Sequence, residues 1–535
     1  MIIDYPAKRF SHPPGEKRYS PCLSALDEGM GAGPAGIAVT MTTTGSLRNS
    51  FADQQFPQGS TARPLADLWV GGERVAASGR VLEHVSPVTS EVCGATVCAT
   101  PDEVTRAVDG AHTALAEWRR TAPGERAALL REAAAAVRRD ADELGDLLCR
   151  TTGRLLSQSR KSASVAADLL EEASITGLGD AGRTLTGASQ ALDVVRCEPR
   201  GVVAVVTPWN DPYPAAAGLL AAALITGNTV VHKPSERSAL PGFELATRVA
   251  ECLPPGVLNI VNGDGETGEA LVGDDRVALV AHVGSTASGR RVAAVAGARG
   301  ARVLLENGGK DPLVVDAGVD PAWAAEQIAL GAFTNTGQLC TSVERIYVHH
   351  SVADAVVEAL ARRAEAMVVG VPDDAATELG PLVDDRQVGV VAAHIEAAVA
   401  AGARLLTGGR RIQGPGCFYP PTVLDHCTDD MTVLTEETFG PVAAVRRVAS
   451  FEEALACAGS GRYGLAATVL TPELGHAMRA ATELEVGTVK VNAVFGGAPG
   501  GSADPRRESG GGAGYGPDLL REMTVLKAVH LEAAR

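Results

Sequence analysis

The spacing of hydrophobic and polar positions changes several times along this chain, and each change predicts an element. Over residues 67–80 apolar and polar positions alternate around Gly71-Gly72, which predicts a β-hairpin. Over 101–138 and 140–172, Ala, Leu and Val recur at helical spacing between charges, and Thr100-Pro101-Asp102-Glu103 is a good helix start. Short β-branched runs then alternate with Ala-rich stretches. Strands are predicted at 201–206, 228–232, 256–261, 277–283 and 301–305, with helices at 215–225, 242–252, 267–272 and 289–298. Five strands with four crossovers make a parallel sheet covered on both faces, in which ligands bind at the carboxyl ends of strands. A second αβ series runs over 321–484, and a last strand is predicted at 525–532. Residues 1–64 carry no such periodicity. They are rich in Pro, Gly, Ser and Thr and contain Met30 and Met41, and read as a disordered extension or a misassigned start.

Composition narrows the function. A chain of 535 residues can hold two or three domains, and its formal net charge of −16 argues against nucleic acid as a partner. The longest apolar run, 214–226, falls short of the roughly 20 residues that cross a bilayer. The opening residues lack a secretory h-region, and the ten cysteines form no CxxC pair, so a reducing, cytoplasmic setting without membrane contact is expected. No metal-ligand cluster is read. Aromatics are 4% of the chain while glycines number 60, which directs attention to Gly-rich turns.

Four segments place reactive residue types at predicted strand ends or turns. Thr207-Pro208-Trp209-Asn210 follows the first strand of the parallel series, where a rigid amide can donate to an oxyanion. His232-Lys233-Pro234-Ser235-Glu236 ends the second strand, with a donor and an acceptor that can both reach ribose hydroxyls; taken alone, the segment reads first as an exposed surface turn. Leu305-Glu306-Asn307-Gly308-Gly309-Lys310 ends the fifth, where partial burial would make Glu306 a general base. In Asn335-Thr336-Gly337-Gln338-Leu339-Cys340, the cysteine is either a thiolate nucleophile or a structural thiol. A fifth pattern, Gly263 to Gly268, matches G-x-G-x-x-G, but it follows the third strand and reads as a tight turn or a phosphate loop.

Taken in order, PWN, KPSE, GST-x-x-G (284–289), E-x-GGK, N-x-GQ-x-C and EE-x-FGPV (436–442) resemble the NAD(P)-dependent aldehyde dehydrogenase superfamily over about 65–535. The 34 residues from Glu306 to Cys340 match the family spacing. The resemblance implies an α/β fold, with a Rossmann-type cofactor domain (65–182 and 200–308), an α/β catalytic domain (309–505) and a β-arm for oligomerisation (183–199 and 506–535). It implies Cys340 as nucleophile, Asn210 with the Cys340 N–H as oxyanion donors, and Glu306 as the base that activates water against the thioester. Cofactor contacts are implied for Trp209, Lys233, Ser235, Glu236, Gly284, Ser285, Gly289, Glu437 and Phe439, with Gly265 near the adenine at most. NAD is expected, and NADP is allowed by Arg237 beside Glu236. A homodimer or homotetramer is expected.

Departures from the family pattern shape the substrate reading. Asn307 stands where a small or aliphatic residue is usual. Asp211 follows PWN where an aromatic is common, implying a wide, polar, anionic channel and a polar or cationic aldehyde. The PFGG-x-K-x-SG stretch is altered, keeping Pro499-Gly500-Gly501 and Ser509-Gly510 around an insertion that holds Arg506 and Arg507. A succinate-semialdehyde-type enzyme with an Arg clamp in that stretch, and a catalytically weak cofactor-binding homologue, are the alternative readings. The glutamate of E-x-GGK argues against a CoA-acylating enzyme.

Overall fold

The computed structural model describes residues 67–179, 182–497 and 501–534. The expected N-terminal extension and Pro499-Gly500 lie outside these residues. The parallel series forms as predicted: β1 (Val202–Val206), β2 (Thr229–Lys233), β3 (Leu258–Ile260), β4 (Val277–Val283) and β5 (Arg302–Glu306). Between them run α1 (Pro212–Ile225), α2 (Ala239–Ala250), α3 (Gly265–Gly273) and α4 (Thr286–Ala298). All five strands pair in parallel, in the order β3-β2-β1-β4-β5. The order reverses between β1 and β4, so the loops after these two strands part and leave a crevice. That crevice receives the PWN turn and the GST turn.

Side-chain chemistry explains the layers. α1 is Ala- and Leu-rich all round and lies buried on nearly every side, packed with Leu130, Leu170 and Phe243 in the largest core. The predicted hairpin forms from Asp67–Val70 and Glu73–Ala76 and extends the sheet beyond β3. The helical region 101–138 is two helices, Pro101–Trp118 and Pro123–Arg139, the first opened by a complete capping box between Thr100 and Glu103. A second sheet of seven strands contains Asp311–Val315 and Val343–His349 side by side at its centre. The chain therefore passes from β5 into the second sheet through Asn307–Lys310 alone.

A three-stranded sheet joins Gly182–Leu185, Ala191–Pro199 and Thr524–Glu532, with Leu192, Leu526 and Leu531 exposed on it. The residues before the last strand do not belong to it. Gly510–Gly511 pairs with the end of β5, and Leu519, Leu520 and Met523 sit in the largest core. The stretch 506–523, expected with the arm, thus packs on the cofactor sheet, because it has apolar side chains to bury and glycines that fit against β5. Among the described residues, no helix is long and apolar enough to cross a membrane, and no cluster of side chains could hold a metal ion.

Candidate active site

The crevice is a cleft of about 480 Å³, and every predicted site residue except Gly289 lines it. Gly289 is buried on the inner face of α4, where a Cβ would fall 2.0 Å from Asn307 Oδ1. It serves packing instead of the cleft.

The Cys340 loop is shaped by strained backbone. Asn335, Thr336 and Gly337 all have positive φ, at 51°, 58° and 70°. Asn335 Nδ2 donates to the Asn210 carbonyl (3.3 Å) and the Gln338 carbonyl (3.2 Å), while Gln338 Oε1 accepts from the Val383 N–H (2.9 Å). Asn210 Nδ2 donates to the Gln338 carbonyl at 2.9 Å. One hydrogen of that amide is thereby spent on fixing Asn210 to the cysteine loop, and the second remains for a ligand. Burial, and then the neighbouring Glu306 charge, push the Cys340 thiol up to about 12. The resting sulfur is a neutral thiol.

Glu306 ends β5 with Oε1 sealed from solvent and without a hydrogen-bond partner. Burial pushes its carboxyl up to about 8, and the facing Gly514 N–H opposes that rise. The two glycines after it are steric requirements. A Cβ on Gly308 would lie 2.3 Å from a Glu437 carboxylate oxygen, and one on Gly309 would lie 2.7 Å from the Cys340 carbonyl. Their absence lets the Glu437 loop and the cysteine loop close onto the end of β5. Glu437 Oε1 accepts from the Gly309 N–H at 3.0 Å, and burial, with the Glu344 charge, raises this carboxyl to about 8 as well.

Lys310 and Glu344 were not foreseen as site residues. They form a buried ion pair of 2.5 Å, with Lys310 also donating to Thr438 Oγ1 (3.1 Å). Glu344 accepts from the Thr438 and Phe439 N–H groups, both at 2.8 Å. Gln387 Nε2 caps the same turn through the Thr438 and Phe439 carbonyls. These bonds hold Phe439 at φ 51°, with its ring edge-on to Trp209 at 5.5 Å. A lysine at the end of an apolar strand, followed by a glutamate inside another, was the available signal.

On the cofactor side, Val206 of β1 pairs with Lys233 and with His282, so both flank it on one face of the sheet. Lys233 Nζ donates to the Pro234 carbonyl (2.9 Å) and the Gly263 carbonyl (2.6 Å), leaving one of its three hydrogens. Burial lowers its pKa. Glu236 is exposed at the rim, and Ser235 caps the turn that carries it. Ser285 is the N-cap of α4, accepting from the Ser288 N–H, and it lines the cleft with Gly284 and Ser288. Gly263 turns the chain into α3, which begins at Gly265 with Asp264 as its N-cap; a Cβ on Gly263 would collide with Thr267.

Two expectations about the substrate side change. Asp211 is buried, accepts from Ser162 Oγ (2.6 Å) and pairs with Arg154 (3.5 Å). Its charge is compensated, so it does not make the channel anionic. Arg507 is engaged by Glu485 (2.7 Å) and by the Gly459 and Gly461 carbonyls, and neither Arg506 nor Arg507 lines the cleft. The clamp for a distal carboxylate is not formed.

A cysteine thiol, an amide and a buried carboxyl thus share a cleft with the N-terminus of α4. The model of the aldehyde dehydrogenase family matches residues 74–529. This chain belongs to that family. Betaine aldehyde dehydrogenase from Cereibacter sphaeroides is 38% identical over 437 residues, covering 81% of this chain and 90% of that protein. An NAD-dependent aldehyde dehydrogenase from Sinorhizobium meliloti superposes with a TM-score of 0.85 at 33% identity, covering 88% of this chain and 95% of that one. A betaine aldehyde dehydrogenase variant from Staphylococcus aureus, solved with NAD+, gives 0.85 at 28% identity, with 88% and 98% covered. The enzyme is an oxidoreductase acting on an aldehyde with NAD.

Proposed function

We propose that the enzyme oxidises a polar aldehyde to its carboxylate through a covalent thioester on Cys340, without transfer to CoA. The observation that carries the covalent route is the joint placement in one cleft of Cys340, Asn210 and the buried Glu306 carboxyl, whose Oε1 has no hydrogen-bond partner. The Cys340 thiol loses its proton as sulfur attacks the carbonyl, and Glu306 is the neighbouring group that can accept it. The developing oxyanion receives the free Asn210 hydrogen and the Cys340 N–H. When bound, NAD+ supplies the hydride acceptor. Once Glu306 has passed the Cys340 proton to solvent, it takes a proton from the water that attacks the thioester. The C–S bond breaks, the Cys340 thiolate regains a proton from Glu306, and the product acid gives its own proton to solvent and leaves as the carboxylate.

The residues fit a dinucleotide: the N-terminus of α4 with Ser285 for pyrophosphate, Glu236 and the remaining Lys233 hydrogen for adenosine ribose, and Glu437 with Phe439 for the nicotinamide end. NAD is favoured over NADP. Glu236 repels a 2′-phosphate, and Arg237 is drawn onto Asp384 (3.0 Å) and the Trp209 ring. The relatives named for betaine aldehyde favour a cationic substrate as a second reading, although Arg154 withdraws the Asp211 carboxylate from that task. We also infer that the exposed leucines of the three-stranded sheet meet a second copy of the chain. NADH formation across a panel of cationic, neutral polar, aliphatic and aromatic aldehydes, each with NAD+ and NADP+, tests these readings. Highest kcat/KM with long aliphatic or aromatic aldehydes would refute the polar channel.

A further inference from the structure

Asn307, the residue after Glu306, is buried and fastened on three sides. Its backbone N–H donates to the Ser509 carbonyl at 2.9 Å, and its Nδ2 donates to the Glu508 carbonyl at 3.1 Å. Just before it, Leu305 and Glu306 pair antiparallel with Gly511 and Gly510. The segment held in this way returns over the base, where a Cβ on Gly514 would fall 2.1 Å from Glu306 Oε1. Its entry is held by charge, with Glu508 paired to Arg290 of α4 (2.6 Å) and to Arg462 (2.7 Å). On the remaining side, the Asn307 Oδ1 is wedged against Gly289 of α4 and has no hydrogen-bond partner.

An amide oxygen buried without a partner is costly. The cost is accepted here where the other end of the amide ties down the segment that covers Glu306. We propose that Asn307 is a positioning residue for Glu306: by fastening residues 508–514 to the end of β5, it keeps the catalytic carboxyl sealed and aimed. This rests on the reading of Glu306 as the base for thioester hydrolysis. An apolar side chain at 307 fills the space but donates nothing to the Glu508 carbonyl. The segment then loosens, water reaches the carboxyl, and its orientation is lost.

The test is rapid-mixing measurement of NADH release by the full-length wild type, Glu306→Gln, Asn307→Leu and Gly289→Ala. In Asn307→Leu, a burst equal to the enzyme concentration is expected, followed by a steady rate roughly ten- to a hundredfold below wild type at pH 9, where the carboxyl is ionised in both. The limb of the steady rate near pH 8 should move toward acid as solvent reaches Glu306, with KM for NAD+ within about twofold. Gly289→Ala displaces Asn307 from the opposite side and adds only a methyl group to a helix that favours alanine, so a leucine variant that fails to fold does not end the test. Its steady rate should fall in the same direction. Wild-type steady rates and an unmoved limb in these variants, with a slow phase in Glu306→Gln, would overturn the proposal. No slow phase in Glu306→Gln would remove the base assignment, and the proposal with it.

Discussion

Replacing Lys310 with methionine tests whether the turn carrying Glu437 and Phe439 is held by one buried ion pair. Lys310 and Glu344 are 2% and 4% exposed and 2.5 Å apart. Removing the ammonium leaves a carboxylate in the interior facing two N–H groups and no cation. Breaking such a pair costs about 3–5 kcal/mol, most of it the desolvation of the stranded charge. At about 2–4 °C per kcal/mol for a domain of this size, Tm should fall by roughly 6–20 °C. Because Glu344 positions the Thr438 and Phe439 amides, KM for NAD+ should rise several-fold as well. The assay is calorimetry with and without NAD+, alongside the double variant Lys310→Met/Glu344→Gln. A neutral amide requires no cation but can accept only one of the two N–H groups, so the double variant should recover part of the lost stability. A single variant within about 2 °C of wild type, or a double variant no more stable than the single, would refute the reasoning.

Three further outcomes are expected. Cys340→Ser should abolish turnover while NAD+ binding, followed by quenching of protein fluorescence, stays near wild type. Asn210→Ala should lower kcat by roughly 10²–10³ with a smaller change in KM, measured with saturating NAD+. The thioester-hydrolysis rate should rise with pH through about 8 and then level, because Glu306 acts ionised and burial keeps its proton on below that value; a flat profile between pH 6.5 and 9 would exclude this carboxyl as the base.

The strands of the cofactor sheet were legible to within two or three residues, because buried parallel strands are written as β-branched runs between Ala-rich helices. The helices of 101–172 were legible as helix but not as four separate pieces: Pro123 and Gly153 interrupt a pattern whose apolar spacing continues across them. The hairpin Val81–Val85 with Val92–Val97 was missed because Val81, Val85 and Val92 face solvent while Gly94 and Thr96 are buried, so apolar residues do not mark its inner face. At the site, the placing of Cys340, Asn210 and Glu306 along one cleft follows from short motifs, each at a strand end or in a turn. The fate of Asp211 was not, since its partners Arg154 and Ser162 lie on a helix and loop some fifty residues away. Arg507 and Lys310 belong to the same class: their partners are set by the packing of separate strands.

The passage of the chain through Asn307–Lys310 links chemistry to shape. Glu306 rides on the last parallel strand of one sheet, whereas Cys340 is carried by a loop of the other, and four residues connect them. The chain returns from the second sheet, whose strand Thr488–Val491 it has just left, to pair Gly510–Gly511 with the end of β5, so the Glu306 carboxyl lies where two crossings between the sheets meet. A substitution in either crossing would be felt at the carboxyl first, before it changed the packing of either sheet.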